Sequence, residues 1–240
     1  MAAGCCFGTP GPLLTAPMAQ NPDRRFRGVP GAGRPRRRRL LRTLRIAKPP
    51  LDDFDRLLDS EGQRLAAIHW TPARVCHRAA QLLDLGAGER VLDVGSGVGK
   101  LCLLGSLASP GQYVGVEQRH PLVLQARGLA AHLASTAQFL HADAFDVDWA
   151  GYEALYFFNP FDEVRFSSLS GWQIDGSIRM GGEVFEELVA RTQDRLASLA
   201  IGTRVVTFHG IGGPMPSCYQ RRVSERFGEG TLDLWVRASP

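Results

Sequence analysis

The chain has 240 residues, 44% of them apolar, and a formal net charge of +4. That length suits one sizeable α/β domain with an appendage rather than two full domains. No apolar run approaches a bilayer span, and the first twenty residues carry no basic residue ahead of an apolar stretch, so neither a transmembrane segment nor a secretory leader is expected. The five cysteines are scattered and lack C-x-x-C spacing, which argues against a disulfide framework or a zinc site and for a reducing, cytoplasmic setting.

The charge is unevenly spread. Ten arginines and one lysine lie between Arg24 and Lys48, whereas the chain from Pro49 onward has 17 basic and 23 acidic side chains. Residues 1–48 are rich in Gly, Pro, Ala and Arg and lack apolar periodicity, so they are expected to be a disordered tail. Its run Arg36-Arg37-Arg38-Arg39 suits weak contact with nucleic acid or another polyanion. Arginine outnumbers lysine 26 to 2 over the whole chain, a bias that weakens a specific role for each tail arginine. Met18 is an alternative start that would shorten the tail.

Residues 49–88 read as a helical segment. Leu51, Phe54, Leu57, Leu58 and Leu65 recur at helical spacing after Pro49-Pro50. Thr71-Pro72 then offers an N-cap and a first-turn proline before Val75, Ala79, Leu82 and Leu83, with Gly86 as a stop. From residue 89 to 240, strands and helices alternate. Strands are predicted at about 90–94, 112–117, 137–141, 153–158, 203–209 and 231–237, and helices at about 99–108, 121–133 and 182–199. Runs such as Ala154-Leu155-Tyr156-Phe157-Phe158 are continuously apolar, as in strands covered on both faces. Cys218 to Phe227, Gly228-Glu229-Gly230 and Leu232 to Val236 form a hairpin pattern. The expected fold class is therefore α/β, a doubly wound, mostly parallel seven-stranded sheet (Rossmann-like) with an antiparallel strand added late.

The chemistry concentrates where the first strand ends, at Val91-Leu92-Asp93-Val94-Gly95-Ser96-Gly97-Val98-Gly99-Lys100. A triphosphate loop would need a glycine at Val94 and a hydroxyl at Leu101. A dinucleotide fingerprint would need its third glycine at Lys100, although Glu117, closing Tyr113-Val114-Gly115-Val116-Glu117, is well placed for a ribose. The spacing G-x-G-x-G after an acid instead suits a nucleoside with a small zwitterionic tail and no pyrophosphate.

Over roughly residues 68–210 the chain resembles the class I S-adenosylmethionine-dependent methyltransferases. The resemblance implies that S-adenosyl-L-methionine is the cofactor. It also implies that Gly95, Ser96, Gly97 and Gly99 let the backbone pass beneath its methionine moiety, that Asp93 helps hold the ammonium, and that Glu117 takes both ribose hydroxyls. His141-Ala142-Asp143-Ala144-Phe145 is similar to the adenine loop, with Asp143 accepting from the amino group and the Ala144 amide meeting a ring nitrogen. Phe157-Phe158-Asn159-Pro160-Phe161 resembles the Asn-Pro-Pro-Tyr/Phe motif of enzymes that methylate planar nitrogens, which implies Asn159 and Phe161 as catalytic residues. It departs from that motif in having one proline. The same segments partly resemble the non-SET, class I fold histone-lysine methyltransferases. The resemblance thus implies methyl transfer to a nucleophile, nitrogen being favoured, on a protein or small molecule.

Other positions have two readings each. Trp70 in His69-Trp70-Thr71-Pro72 either covers the cofactor or packs, and His209 either accepts a proton or orders its loop. The long connection 162–181, with Trp172, is where acceptor contacts are expected. Two other functions remain open from sequence: a nicotinamide-dependent oxidoreductase, and a nucleic-acid-binding protein with an inactive methyltransferase-like body.

Overall fold

The computed structural model describes residues 54–169 and 172–239. The tail 1–48, with its expected disorder, and Leu51 lie outside the described residues. Among the described residues, the 3-10 turn Asp55–Leu57 precedes helix α1, Ser60–His69. The helical periodicity of this region is broken at Leu58 and Asp59, which are both extended. The cause is local: the Asp59 carboxylate accepts the Gly62 amide at 2.7 Å and starts a new helix.

Helix α2, Ala73–Leu83, corrects two sequence expectations. Pro72, not Thr71, is its N-cap, and no side chain caps it. The Thr71 hydroxyl is instead shared with the Tyr156 hydroxyl at 3.1 Å, a buried pairing that no local pattern announces. The helix also stops before Gly86, because Asp84 takes the left-handed conformation at φ 44° and its amide donates to the Ala80 carbonyl.

The sheet contains β1 (Arg90–Val94), β2 (Gln112–Glu117), β3 (Gln138–His141), β4 (Ala154–Phe158), β5 (Arg204–Phe208), β6 (Tyr219–Phe227) and β7 (Gly230–Arg237). Their spatial order is β3-β2-β1-β4-β5-β7-β6. Strands β1 to β5 are parallel, β7 is antiparallel to β5, and β6 returns antiparallel to β7. Only β7 therefore runs against the rest, as the expected late antiparallel strand. Helices α3 (Lys100–Ala108), α4 (His120–Leu133), α5 (Asp162–Arg165) and α6 (Gly182–Ala197) complete the fold.

The apolar strand runs are explained by two cores, one on each face. Val91, Tyr156 and Val206 pack with α1, α2, α3 and α4, through Leu65, Val75, Leu101 and Val123. Their chain neighbours Leu92, Leu155, Phe157 and Val205 pack oppositely, with Trp149 and with Val189 and Leu196 of α6. The helical segment before β1 thus belongs to the same core as the sheet. Strand order reverses at β1, with β2 and β3 on one side and β4 on the other. The carboxyl ends of β1 and β4 form the crevice where open α/β sheets bind ligands.

Candidate active site

Each of β1 to β4 ends on one cavity of about 420 Å³, within the roughly 300–1,000 Å³ usual for small-molecule sites. Val94, Gly95 and Gly97 line it after β1, Glu117 at the end of β2, Asp143 and Ala144 after β3, and Asn159 and Phe161 after β4. Of the ten residues singled out from sequence, seven line this space. Asp93 and Ser96 border a smaller hollow beside it, which also touches Gly95, Trp70 and Lys100.

The loop after β1 is fastened to β2 by its backbone, since the Gly95 and Ser96 amides both donate to the Val116 carbonyl at 3.0 Å. Gly97 has φ 53°, and a β-carbon there would lie 2.5 Å from the Trp70 ring. Trp70 is held in place as its indole N–H donates to the Gly62 carbonyl at 3.0 Å. Gly99, at φ 78°, lies where a β-carbon would collide with the Phe139 ring, so the core also requires a glycine there. Ser96 lies against Gly115, with its buried hydroxyl lacking a partner among the described residues.

The electrostatics of the loop are acidic. Glu117 is 6% exposed; its Oε2 accepts the Gly97 amide at 3.1 Å and its Oε1 the Arg119 amide at 2.9 Å. Burial raises the pKa of this carboxyl, and the two amides partly oppose the rise. Asp93 accepts from the Cys102 thiol at 3.4 Å, and burial pushes its carboxyl up to about 7. Lys100 is buried too, but its ammonium is committed to Asp55 at 2.6 Å. Asp143 uses one oxygen to accept the Phe145 amide at 2.8 Å, capping the 3-10 turn Ala144–Asp146.

On the acceptor side, Asn159 is in the left-handed region at φ 45°, a conformation that asparagine tolerates better than most residues. Its amide donates to the Phe208 carbonyl and its carbonyl accepts the Asp162 amide. Phe161 is 8% exposed and belongs mainly to the core with Phe157 and Val189. Phe158, Trp172 and His69 supply other rings to the cavity. Burial, assisted by the charge of Arg119, lowers the pKa of His69 to about 4, so it is neutral at pH 7. His209 stacks edgewise on Phe208 at 4.3 Å, at φ 65°. Arg119, paired with Glu163 and Asp175, is a cavity residue that no local pattern announces, because those partners lie 44 and 56 residues away.

Residues 65–170 match the family model for protein-L-isoaspartate(D-aspartate) O-methyltransferase. Among solved structures, the chain is similar to an RNA methyltransferase from Salinibacter ruber in complex with S-adenosyl-L-homocysteine. The TM-score is 0.50 at 20% identity, over 71% of this chain and 94% of that one. It is also similar to TrmN from Thermus thermophilus (TM-score 0.52, 18% identity), matching 73% of this chain and 52% of TrmN. A third similar structure is the putative methyltransferase yhhF from Escherichia coli, with a TM-score of 0.50 and 15% identity over 70% and 87% of the two chains. The chain has the class I methyltransferase fold. The cofactor of this fold is S-adenosylmethionine, and the residues present fit it. Buried Glu117 has lone pairs left after its two amide bonds, and a carboxylate accepts from sugar hydroxyls but repels phosphate. Asp93 adds a second acid beside the loop, as a ligand with a cationic end requires. Among the described residues, no helix is long and apolar enough to cross a membrane.

Proposed function

We propose that this chain transfers the methyl group of S-adenosylmethionine to a nitrogen presented at Asn159. The observation carrying this reading is that Glu117, at the end of β2, and Asn159, just past β4, line one cavity. Bound cofactor would supply a methyl on a sulfonium: the acceptor's lone pair would form the new N–C bond in line as the C–S bond breaks, the thioether leaving with that electron pair and the nitrogen's extra proton passing to solvent. For that step the protein must orient a lone pair and keep water out. Glu117 would hold the ribose, Asp93 the ammonium through its carboxylate form, and Asp143 with the Ala144 amide the adenine. The Gly95–Gly97 backbone would pass beneath the methionine part. The amide oxygen of Asn159 would accept an N–H of the acceptor and so aim the nitrogen without a strong base.

Two acids at the loop favour this reading over a nicotinamide dinucleotide, whose pyrophosphate wants donors and positive charge. Phe161, being mostly core, is proposed to shape the wall, leaving Phe158 and Trp172 as the rings available to an acceptor. The matched family model belongs to enzymes named for isoaspartate O-methylation, but it stops at residue 170, before α6 and the last strands. One of the similar structures is described as an RNA methyltransferase, and at 20% identity it supports the fold rather than an acceptor. A cytoplasmic setting is supported by Cys76 and Cys102, both buried as free thiols. The test is incubation with radiolabelled S-adenosylmethionine and host lysate, fractionated into protein, RNA and small molecules. Label in an amine-containing protein or metabolite supports the reading. Label released by mild base, as from a methyl ester, would replace it with carboxylate methylation.

A further inference from the structure

The connection between α5 and α6 is held across the cavity by one buried cation. Arg119 is only 6% exposed, follows Glu117 by two residues, and pairs with one carboxylate of α5 and one of the connection after it. Its Nη2 meets Glu163 of α5 at 2.7 Å and its Nε meets Asp175 at 3.1 Å. Glu163 uses the same oxygen to accept the Ile174 amide at 2.8 Å, and Asp175 accepts the Ser177 amide at 2.9 Å. Residues 172–181 contain no helix or strand, so these polar contacts, with Trp172 against Phe166 and His69, are what define the segment's path. Trp172, Ile174, Ser177, Ile178 and Arg179 from this segment all line the cavity.

We infer that Arg119 is a positioning residue that straps residues 172–181 over the cavity, making them the acceptor-facing wall and tying its closure to cofactor occupancy. The tie runs through a single residue. Arg119 donates its backbone amide to Glu117 and its guanidinium to the strap, so ordering Glu117 around a ribose also fixes the base of the strap. A guanidinium buried between two carboxylates is a directional fastening, because its fork of donors matches carboxylate geometry and lysine's point charge does not. This inference rests on the proposed cofactor site for its coupling, but the fastening itself does not need a methyl acceptor.

The experiment is limited trypsin cleavage after Arg179, exposed within the strap, on the full chain with and without saturating S-adenosylhomocysteine. Cleavage tracks the population of the open strap when opening and closing are fast. In the parent protein the ligand should slow cleavage by about tenfold. The double variant Glu163→Gln/Asp175→Asn keeps the Arg119 amide on Glu117, so calorimetry should still show binding, weakened by up to about tenfold as reciprocity with the tenfold protection requires, while ligand protection at saturation is lost. The single variant Arg119→Lys should lose protection as well, which separates the guanidinium fork from mere charge. Protection surviving in the double variant, or no protection in a parent protein shown to bind the ligand, would overturn the inference. If the parent fails to bind S-adenosylhomocysteine, the proposed function falls. The fastening is then judged on ligand-free protein, where the double variant must be cut about tenfold faster than the parent and equal rates would sink it.

Discussion

Glu117 and Gly97 are joined across the site by a 3.1 Å hydrogen bond from the Gly97 amide to Oε2 of the carboxylate. The acid at the end of β2 therefore fixes the loop after β1 as well as facing the cavity. Glu117→Ala should remove both effects. Charged hydrogen bonds contribute about 1.5–3 kcal/mol each, so affinity for S-adenosylhomocysteine should fall at least about tenfold in isothermal titration. Unchanged affinity would remove the ribose assignment.

Asn159 tolerates a left-handed turn, and in the proposed reaction it also presents an amide. Asn159→Gly keeps the turn and deletes the amide; Asn159→Ala deletes the amide and strains the turn by about 1–2 kcal/mol. Both variants should bind cofactor normally and lose turnover by roughly a hundredfold, with only the alanine variant less stable in thermal melts. A glycine variant that retains turnover would make Asn159 a turn residue alone.

Gly97 should tolerate no side chain. A β-carbon 2.5 Å from the Trp70 ring, at φ 53°, must displace the ring or the loop. Gly97→Ala is expected to cost about 1–3 kcal/mol in chemical denaturation and to weaken cofactor binding. Removing the ring as well, in Gly97→Ala/Trp70→Leu, should recover part of the stability. Additive losses in that double variant would mean that the two residues do not meet.

Asp93 gives the protein a pH dependence with a definite sign. Its carboxyl is pushed up to about 7 by burial, above the ordinary value of 3.8. Its contribution to the stability of the ligand-free protein is thus complete below pH 3.8 and is lost as pH rises through that value to about 7. The slope is at most about 1.4 kcal/mol per pH unit. A ligand ammonium favours the charged carboxylate, so cofactor affinity should rise with pH up to and through 7, with protons released on binding. Titrations in buffers of different ionisation enthalpy measure that release. Asp93→Asn should abolish it, and an identical release in the variant would assign the proton elsewhere.

The strands that hold the site were legible because their chemistry is local. Buried parallel strands need unbroken apolar runs, and β1, β4 and β5 have them at Val91-Leu92, Ala154–Phe158 and Val205–Phe208. Gly95, Gly97, Glu117, Asp143 and Asn159, picked out by order and spacing, stand at or just past the ends of β1 to β4 and all line the cavity. What stayed hidden depends on partners distant in sequence. Thr71 looks like a helix cap until Tyr156 takes its hydroxyl, and nothing local shows that Phe139 fills the space beside Gly99. Lys100 and Arg119 give no sign in sequence of their pairing with Asp55, Glu163 and Asp175, because nothing in the local pattern encodes those separations.

The seat of the cofactor sugar is best decided by a crystal structure of the protein with S-adenosylhomocysteine. The two ribose hydroxyls should lie within about 3.2 Å of the Glu117 carboxylate, with the adenine beside Asp143 and the sulfur facing Asn159. A nucleoside bound elsewhere, or a Glu117 still making only its Gly97 and Arg119 amide bonds, would contradict the account.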